Sequence, residues 1–477
     1  MPAERSSDRS FLAQAPARFA VLFTVGAALG CGPHPVAPGR GDTKRLAPES
    51  IAAPYRAPLD SSPTLAVCGP PPESPGSGDK KALDREPVAA RYRSPLDGSP
   101  ALAVASGGRI ATAWVHVESI DAPRFAIQYA LSADGGATWT TPALRDDEYG
   151  MDPALAVDRH GTFYLASLGG SLGRPSVVVA TAPFGSSRFG RAMRLPGSDG
   201  ADMPSLAVTP SGTVLVTWAV LDSENAMCAR TTDGEHWTLA RITPERRVDD
   251  RIRWGHHVCA PALGGRIWVV YADGSRRPGE AYIGESFGLQ YSDDDGVTWS
   301  REIPVSLPKE TGLGGRVSPS CVGDGKKVWA LYGLSSDPAP SVMTPRATAI
   351  RLASSTDGGE SFEAHDTVSS RESGDRYLIP AIARGVDGSL HVVYYGNGVA
   401  GAGEDHAVLE WSSTRDPGAT FGRPVSLRAG LRFVHLYEHD WLGYSIGVVA
   451  AEGALHVVYV DNACPPSRIK YLRRPLP

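Results

Sequence analysis

An eight-residue turn, Ser132-Ala-Asp134-Gly-Gly136-Ala-Thr138-Trp139, recurs along the chain and limits its fold more than any other feature. It returns almost letter for letter as Ser292-Asp-Asp294-Asp-Gly296-Val-Thr298-Trp299. Looser copies start at Ser355 and Thr414, and a copy one residue short runs from Thr231 to Trp237. A hairpin turn repeated at regular spacing signals a repeat architecture. Each letter has a mechanical task. The Asp carboxylate accepts bonds from amides of its own loop. Gly supplies positive φ at little cost, the hydroxyls bond within the turn, and the Trp or Phe buries a large apolar face beneath it. The turns are therefore staples rather than catalytic carboxylates.

A second motif alternates with the turns: an apolar strand led by Pro, a Gly-containing turn, then a strand ending in an aromatic residue. Copies start near Pro100, Pro153, Pro204, Pro261, Pro319, Pro380 and Ile446. Their second strands, such as Thr213-Val-Leu-Val-Thr-Trp218 and Ala454-Leu-His-Val-Val-Tyr459, are rich in β-branched and aromatic residues. No stretch carries a sustained helical period. Four short strands per repeat predict an all-β chain, a β-propeller with four-stranded blades. The count is seven blades, or six if one repeat is an insertion. The last repeat ends one strand early, and a segment near Val88 to Arg93 is expected to supply its fourth strand and close the ring.

The first 85 residues are expected to lie outside the ring. Residues 1–30 read as a signal peptide, with Arg18 before a short apolar run from Phe19 to Gly30. The run ends Ala27-Ala-Leu-Gly-Cys31, which resembles a bacterial lipobox. That resemblance implies lipid attachment at Cys31, export, and anchorage to the outer membrane through the lipid alone. Residues 31–85 form a Pro- and Gly-rich tether, and 86–477 the propeller. Tyr55 to Val67 is echoed by Tyr92 to Val104, the second copy opening the folded part. Outside the cytoplasm cysteines can pair. Cys259 and Cys321, opening strands of successive repeats, are the natural couple, and Cys68 with Cys464 would tie the N-terminal segment to the last repeat.

A formal net charge of −5, with both signs mixed throughout, offers no basic face for nucleic acid. No spacing of Cys and His suggests a metal, and no cofactor motif is present. A monomer is expected, its ligand a glycan or a surface protein.

The recurrent turns match the Asp-box of the sialidase superfamily, and the resemblance covers most of Ser94 to Pro477. It implies a propeller more strongly than any one activity. By that resemblance Asp121 stands where sialidases carry their general acid, and Tyr444, in Tyr444-Ser445, where they carry their nucleophile, with Glu438 as its neighbour. The arginines that clamp a sialic acid carboxylate have no match: Gly98-Ser-Pro100 stands at the first position, and the stretch before the last turn holds none. True exo-sialidase activity is therefore not expected. Polar and aromatic residues near the starts of innermost strands, Arg253, Trp254, His257, Arg376 and Asp440 among them, are candidates for sugar binding in an axial funnel, with Arg276 reaching the same rim. Two functions follow: a glycan-directed propeller, as lectin or glycoside hydrolase, or a non-catalytic interaction scaffold.

Overall fold

The computed structural model describes residues 96–118, 124–145, 149–171, 173–220, 225–243, 251–260, 265–275, 283–307, 319–334, 348–369, 377–397, 406–416, 421–432, 442–463 and 467–477, with backbone alone at 251–256, 275, 283–285 and 364–366. The signal peptide, the tether, the Val88 to Arg93 segment, and the Cys68 and Cys464 couple lie outside these residues.

Strands are antiparallel and each pairs with the next in sequence, giving six four-stranded sheets and a final three-stranded one among the described residues. The molecule is a seven-bladed β-propeller, with no helix among the described residues. Blade one runs through β1 (Leu96–Val104), β2 (Ile110–Val117), β3 (Phe125–Ser132) and β4 (Ala143–Leu144). The innermost strands of blades two to six are β5 (Met151–Val157), β9 (Ala201–Val208), β13 (Arg251–Cys259), β17 (Ser320–Asp324) and β21 (Tyr377–Arg384). Blade seven contains β25 (Gly447–Ala451), β26 (Ala454–Asp461) and β27 (Arg468–Pro475).

Second strands of the blades are apolar on both faces because neighbouring blades cover both. In β2 every residue but His116 is buried, and Trp114, Trp218, Tyr332 and Tyr394 at matching places are fully so. The core therefore lies between blades rather than at one centre. One cluster joins Leu96, Phe163 and Trp218 of blades one to three, and another joins Trp114 to Tyr395 and Leu455 across the seam where the chain's ends meet.

The recurrent turns all connect third to fourth strands, at the face where first and second strands also meet. In the first, Thr138 donates its backbone N–H (2.8 Å) and its hydroxyl (2.6 Å) to Asp134, and Gly136 N–H donates to Ser132 Oγ at 2.9 Å. The pattern repeats around Asp294 and Asp357. In the short copy His236 takes the place of the hydroxyl residue, its Nδ1 2.8 Å from Asp233. These turns also reach the preceding blade. Ser211 and Thr213 donate to Asp295, Trp268 Nε1 donates to the Gly358 carbonyl, and Tyr471 donates to the Gly135 carbonyl. Where blade two has lost the turn, Phe184 instead lies against the Arg109 guanidinium of blade one.

Blade four departs from the expected register. Its innermost strand ends at Cys259, so Pro261 falls beyond it rather than at its start. The bulge that blades one, two, three and six fill with a residue and Pro is here occupied by Gly255 and His256, between the Trp254 and His257 pairs. Cys259 and Cys321 form the disulfide, Cα atoms 5.8 Å apart, linking blades four and five. Cys228 is a buried thiol whose desolvation pushes its pKa up to about 12.

Candidate functional site

Innermost strands of this ring do not run straight to the axis. In blades one, two, three and six the ladder skips two residues near the strand's start. The skipped pairs are Ser99-Pro100, Asp152-Pro153, Met203-Pro204 and Ile379-Pro380. Proline suits the gap because it has no N–H to leave without a ladder partner. The residue before it holds positive φ, from 48° at Met203 to 52° at Ile379. Left-handed backbone costs about 1–2 kcal/mol for a residue with a Cβ, so packing from both sides must impose it. Bulges of this kind turn side chains toward an active site or a strand's end.

The seven openings enclose one cavity of about 240 Å³ on the axis, to which every blade contributes. Its wall is largely proline and small apolar residues. Polar functions come from Asp152, His257, Tyr444 and a few serines. Most of the serines serve the ring itself. Ser205 Oγ accepts the Val258 N–H at 3.1 Å, Ser99 Oγ accepts the Tyr444 N–H at 2.9 Å, and Ser445 Oγ donates to the Pro100 carbonyl at 3.0 Å.

Asp152 is the one acidic side chain on the described wall. Withdrawal from water, reinforced by the Asp202 charge, pushes its pKa up to about 8. Desolvation raises Asp202 too, to about 6, against the opposing effect of the Met203 N–H. The two carboxyls share protons as a pair. His257 goes the other way: desolvation lowers it to about 4, so its ring is neutral near pH 7. Its Nδ1 accepts the Cys321 N–H at 3.3 Å, which places the ring proton on Nε2. A carboxylic acid and a neutral imidazole in one cavity can donate and accept hydrogen bonds and can move a proton.

Of the residues nominated from sequence, His257 and Tyr444 meet at this cavity. Tyr444 is half-buried, its side chain packed against the cluster of blades one to three. Gly443, with φ of 80°, brings it there by running so close to Ser99 that a Cβ would collide with that backbone. Arg253 and Trp254 lie on β13 opposite Asp273 and Ala272. Asp121, Glu438, Arg276, Arg376 and Asp440 lie outside the described residues. Two aromatics near the starts of innermost strands belong to the core: Tyr149 is 5% exposed beside Phe125, and Tyr377 is fully buried against Tyr394. Asp152 and Asp202 were not foreseen. The available signal was an Asp immediately before, or two residues before, the Pro that opens an innermost strand.

A seven-bladed propeller with an axial cavity at the strand openings is the class that fold and site define. No family model matches the chain, and no curated protein does. Among solved structures it is similar to an ulvan lyase of polysaccharide lyase family PL25, at a TM-score of 0.56 and 13% identity over 81% of this chain and 97% of that one. A structure of such a lyase bound to -[GlcA(1-4)Rha3S]- gives 0.55 and 12% over the same shares. A Hadza microbial sialidase aligns at 0.42 and 15% over 63% of each chain, too loosely to bear on this one.

Proposed function

We propose that the protein binds or cleaves glycans at the face where its seven innermost strands open. The observation that carries this reading is the axial cavity, where Asp152 and His257 face a small space walled by apolar surface. A few placed polar groups in a largely apolar concavity are the usual makings of a ligand site. The ulvan lyase likeness supports it, since a propeller of this kind can serve polysaccharide chemistry. We propose also that Cys31 carries lipid and holds the ring at the outer membrane, as the lipobox-like stretch suggests.

Screening the full-length chain against a glycan array and a set of aryl glycosides tests the reading. Binding or turnover that Asp152→Ala abolishes is expected. Silence on both screens would leave the alternative, an interaction scaffold. That alternative gains from one observation: Tyr444 and Ser445 are engaged in joining blade seven to blade one. Tyr444→Phe separates glycan cleavage from a scaffold, because loss of its hydroxyl harms a nucleophile and spares a scaffold.

A further inference from the structure

We infer that the axial cavity selects sugars by charge, taking a single neutral or amine-bearing ring and excluding carboxylated and sulfated ones. The inference rests on the glycan-directed reading above and narrows its substrate class. Size is the first argument. A volume of about 240 Å³ falls below the roughly 300–1,000 Å³ that encloses a drug-sized ligand, so the cavity encloses about one ring.

Charge is the second. Among the described residues lining the cavity there is no Arg or Lys, and the acidic side chain is Asp152. Its carboxyl interacts with Asp202 on the neighbouring innermost strand, and burial and that charge are what perturb it. Near neutral pH the pair retains one negative charge, with Asp152 the better proton holder. The other titratable groups on this wall, His257 and Tyr444, supply no balancing cation, since the His257 ring is neutral there. A uronate carboxylate or a sulfate ester would meet like charge in a poorly hydrated space, where repulsion is strongest. A sugar ammonium would donate to Asp152 and be drawn by the charge the pair retains, and a neutral ring would exchange hydrogen bonds with Asp152 and His257 Nε2–H. The cavity wall thus contrasts with the acidic, sulfated ligand of the ulvan lyase structure.

Calorimetric titration of the full-length chain with three matched oligosaccharides tests the inference. Their terminal residues are a neutral hexose, a hexosamine with a free amine, and a hexuronate. The amine-terminated ligand is expected to bind at least about tenfold more tightly than the hexuronate. Asp202→Asn, which removes the charge the pair keeps near neutral pH at a residue off the described cavity wall, should narrow that gap about tenfold and leave the neutral ligand within about threefold of its wild-type affinity. The wild-type ranking decides the matter even if this variant misfolds. A hexuronate that binds as well as the amine, or a gap that Asp202→Asn leaves intact, overturns the charge selection while the glycan reading stands. Failure of all three ligands together with an empty glycan array removes both.

Discussion

Asp152 and Asp202 carry opposite implications for function and for stability. Both carboxyls titrate higher in the folded chain than their ordinary value of 3.8, at about 8 and about 6. The folded state therefore binds more protons than the unfolded one across that window, and stability falls as pH rises from about 4 to 8. Asp152→Asn should flatten this fall, so that the variant gains Tm over wild type at pH 8 and little at pH 5. Equal gains at both would show that the carboxyl is solvated. His257 has the reverse sign: its unfolded value near 6.5 drops to about 4 on folding, so stability is lost as pH falls below 6.5. At the turns, Gly296 has φ of 82°, and a Cβ there would sit 2.5 Å from Leu215 of the preceding blade. Gly296→Ala should cost about 2 kcal/mol or more, from left-handed strain and that contact together. Ser292→Ala, which removes the acceptor of the Gly296 N–H, should cost about 1 kcal/mol. Urea titration reads both, and a larger loss for the serine variant would mean that the turn works only within its own loop. The turn's roles were legible because Ser, Asp, Gly and Thr bond to neighbours in sequence. The coupling of Asp152 to Asp202 was not, because it arises between strands fifty residues apart that only the packing of one blade on the next makes adjacent.

Among the elements, the innermost strands do two jobs that pull apart: they pair with the second strand and they bend away from it to line the axis. The X-Pro bulges reconcile these, since Pro makes the missing ladder bond inexpensive and the strained residue before it is clamped by two blades. Sequence periodicity marked these strands well in six blades. It misplaced the start in blade four, where Gly255-His256 replaces the proline pair and Pro261 falls after the strand. The pairing of Cys259 with Cys321 was legible from their places in successive repeats, although Cys259 ends its strand instead of opening it. This bond closes a loop with a sequence separation of 62. Chain entropy sets its contribution at up to about 4 kcal/mol. Cys259→Ser with Cys321→Ser should lower Tm, and dithiothreitol should lower the wild type toward the same value while leaving the double variant unmoved. Identical melting of wild type with and without reductant would show that the bond adds no stability. Because Cys321 N–H also holds His257 Nδ1, the double variant tests in addition whether the disulfide fixes that ring at the cavity.

A propeller is stable as a whole only if its last blade is fastened to its first, for each blade buries its faces solely against two neighbours. Here the seam has four described fastenings. Ser467 Oγ donates to the Asp97 carbonyl at 3.0 Å while Asp97 N–H donates to the Ser467 carbonyl at 3.2 Å. Tyr444 and Ser445 bind β1 near the axis, and Glu452 accepts the Gly107 N–H at 2.7 Å on the far face. Tyr471 fills the space under the first recurrent turn, its ring edge-on to Trp139 with centroids 5.1 Å apart, its hydroxyl between His456 Nδ1 and the Gly135 carbonyl. These contacts were invisible in sequence, where Tyr471 is one aromatic in a terminal strand, yet they tie positions more than three hundred residues apart. Tyr471→Ala removes the stacking and both bonds and should cost about 2 kcal/mol or more. In a ring held from both sides that loss is shared, so scanning calorimetry should record one cooperative transition at a lower Tm. Were blade seven only appended to the ring, the same substitution would release it first. A small separate transition below an unchanged main one would then appear, and seam closure could not be what makes the seven blades a single unit.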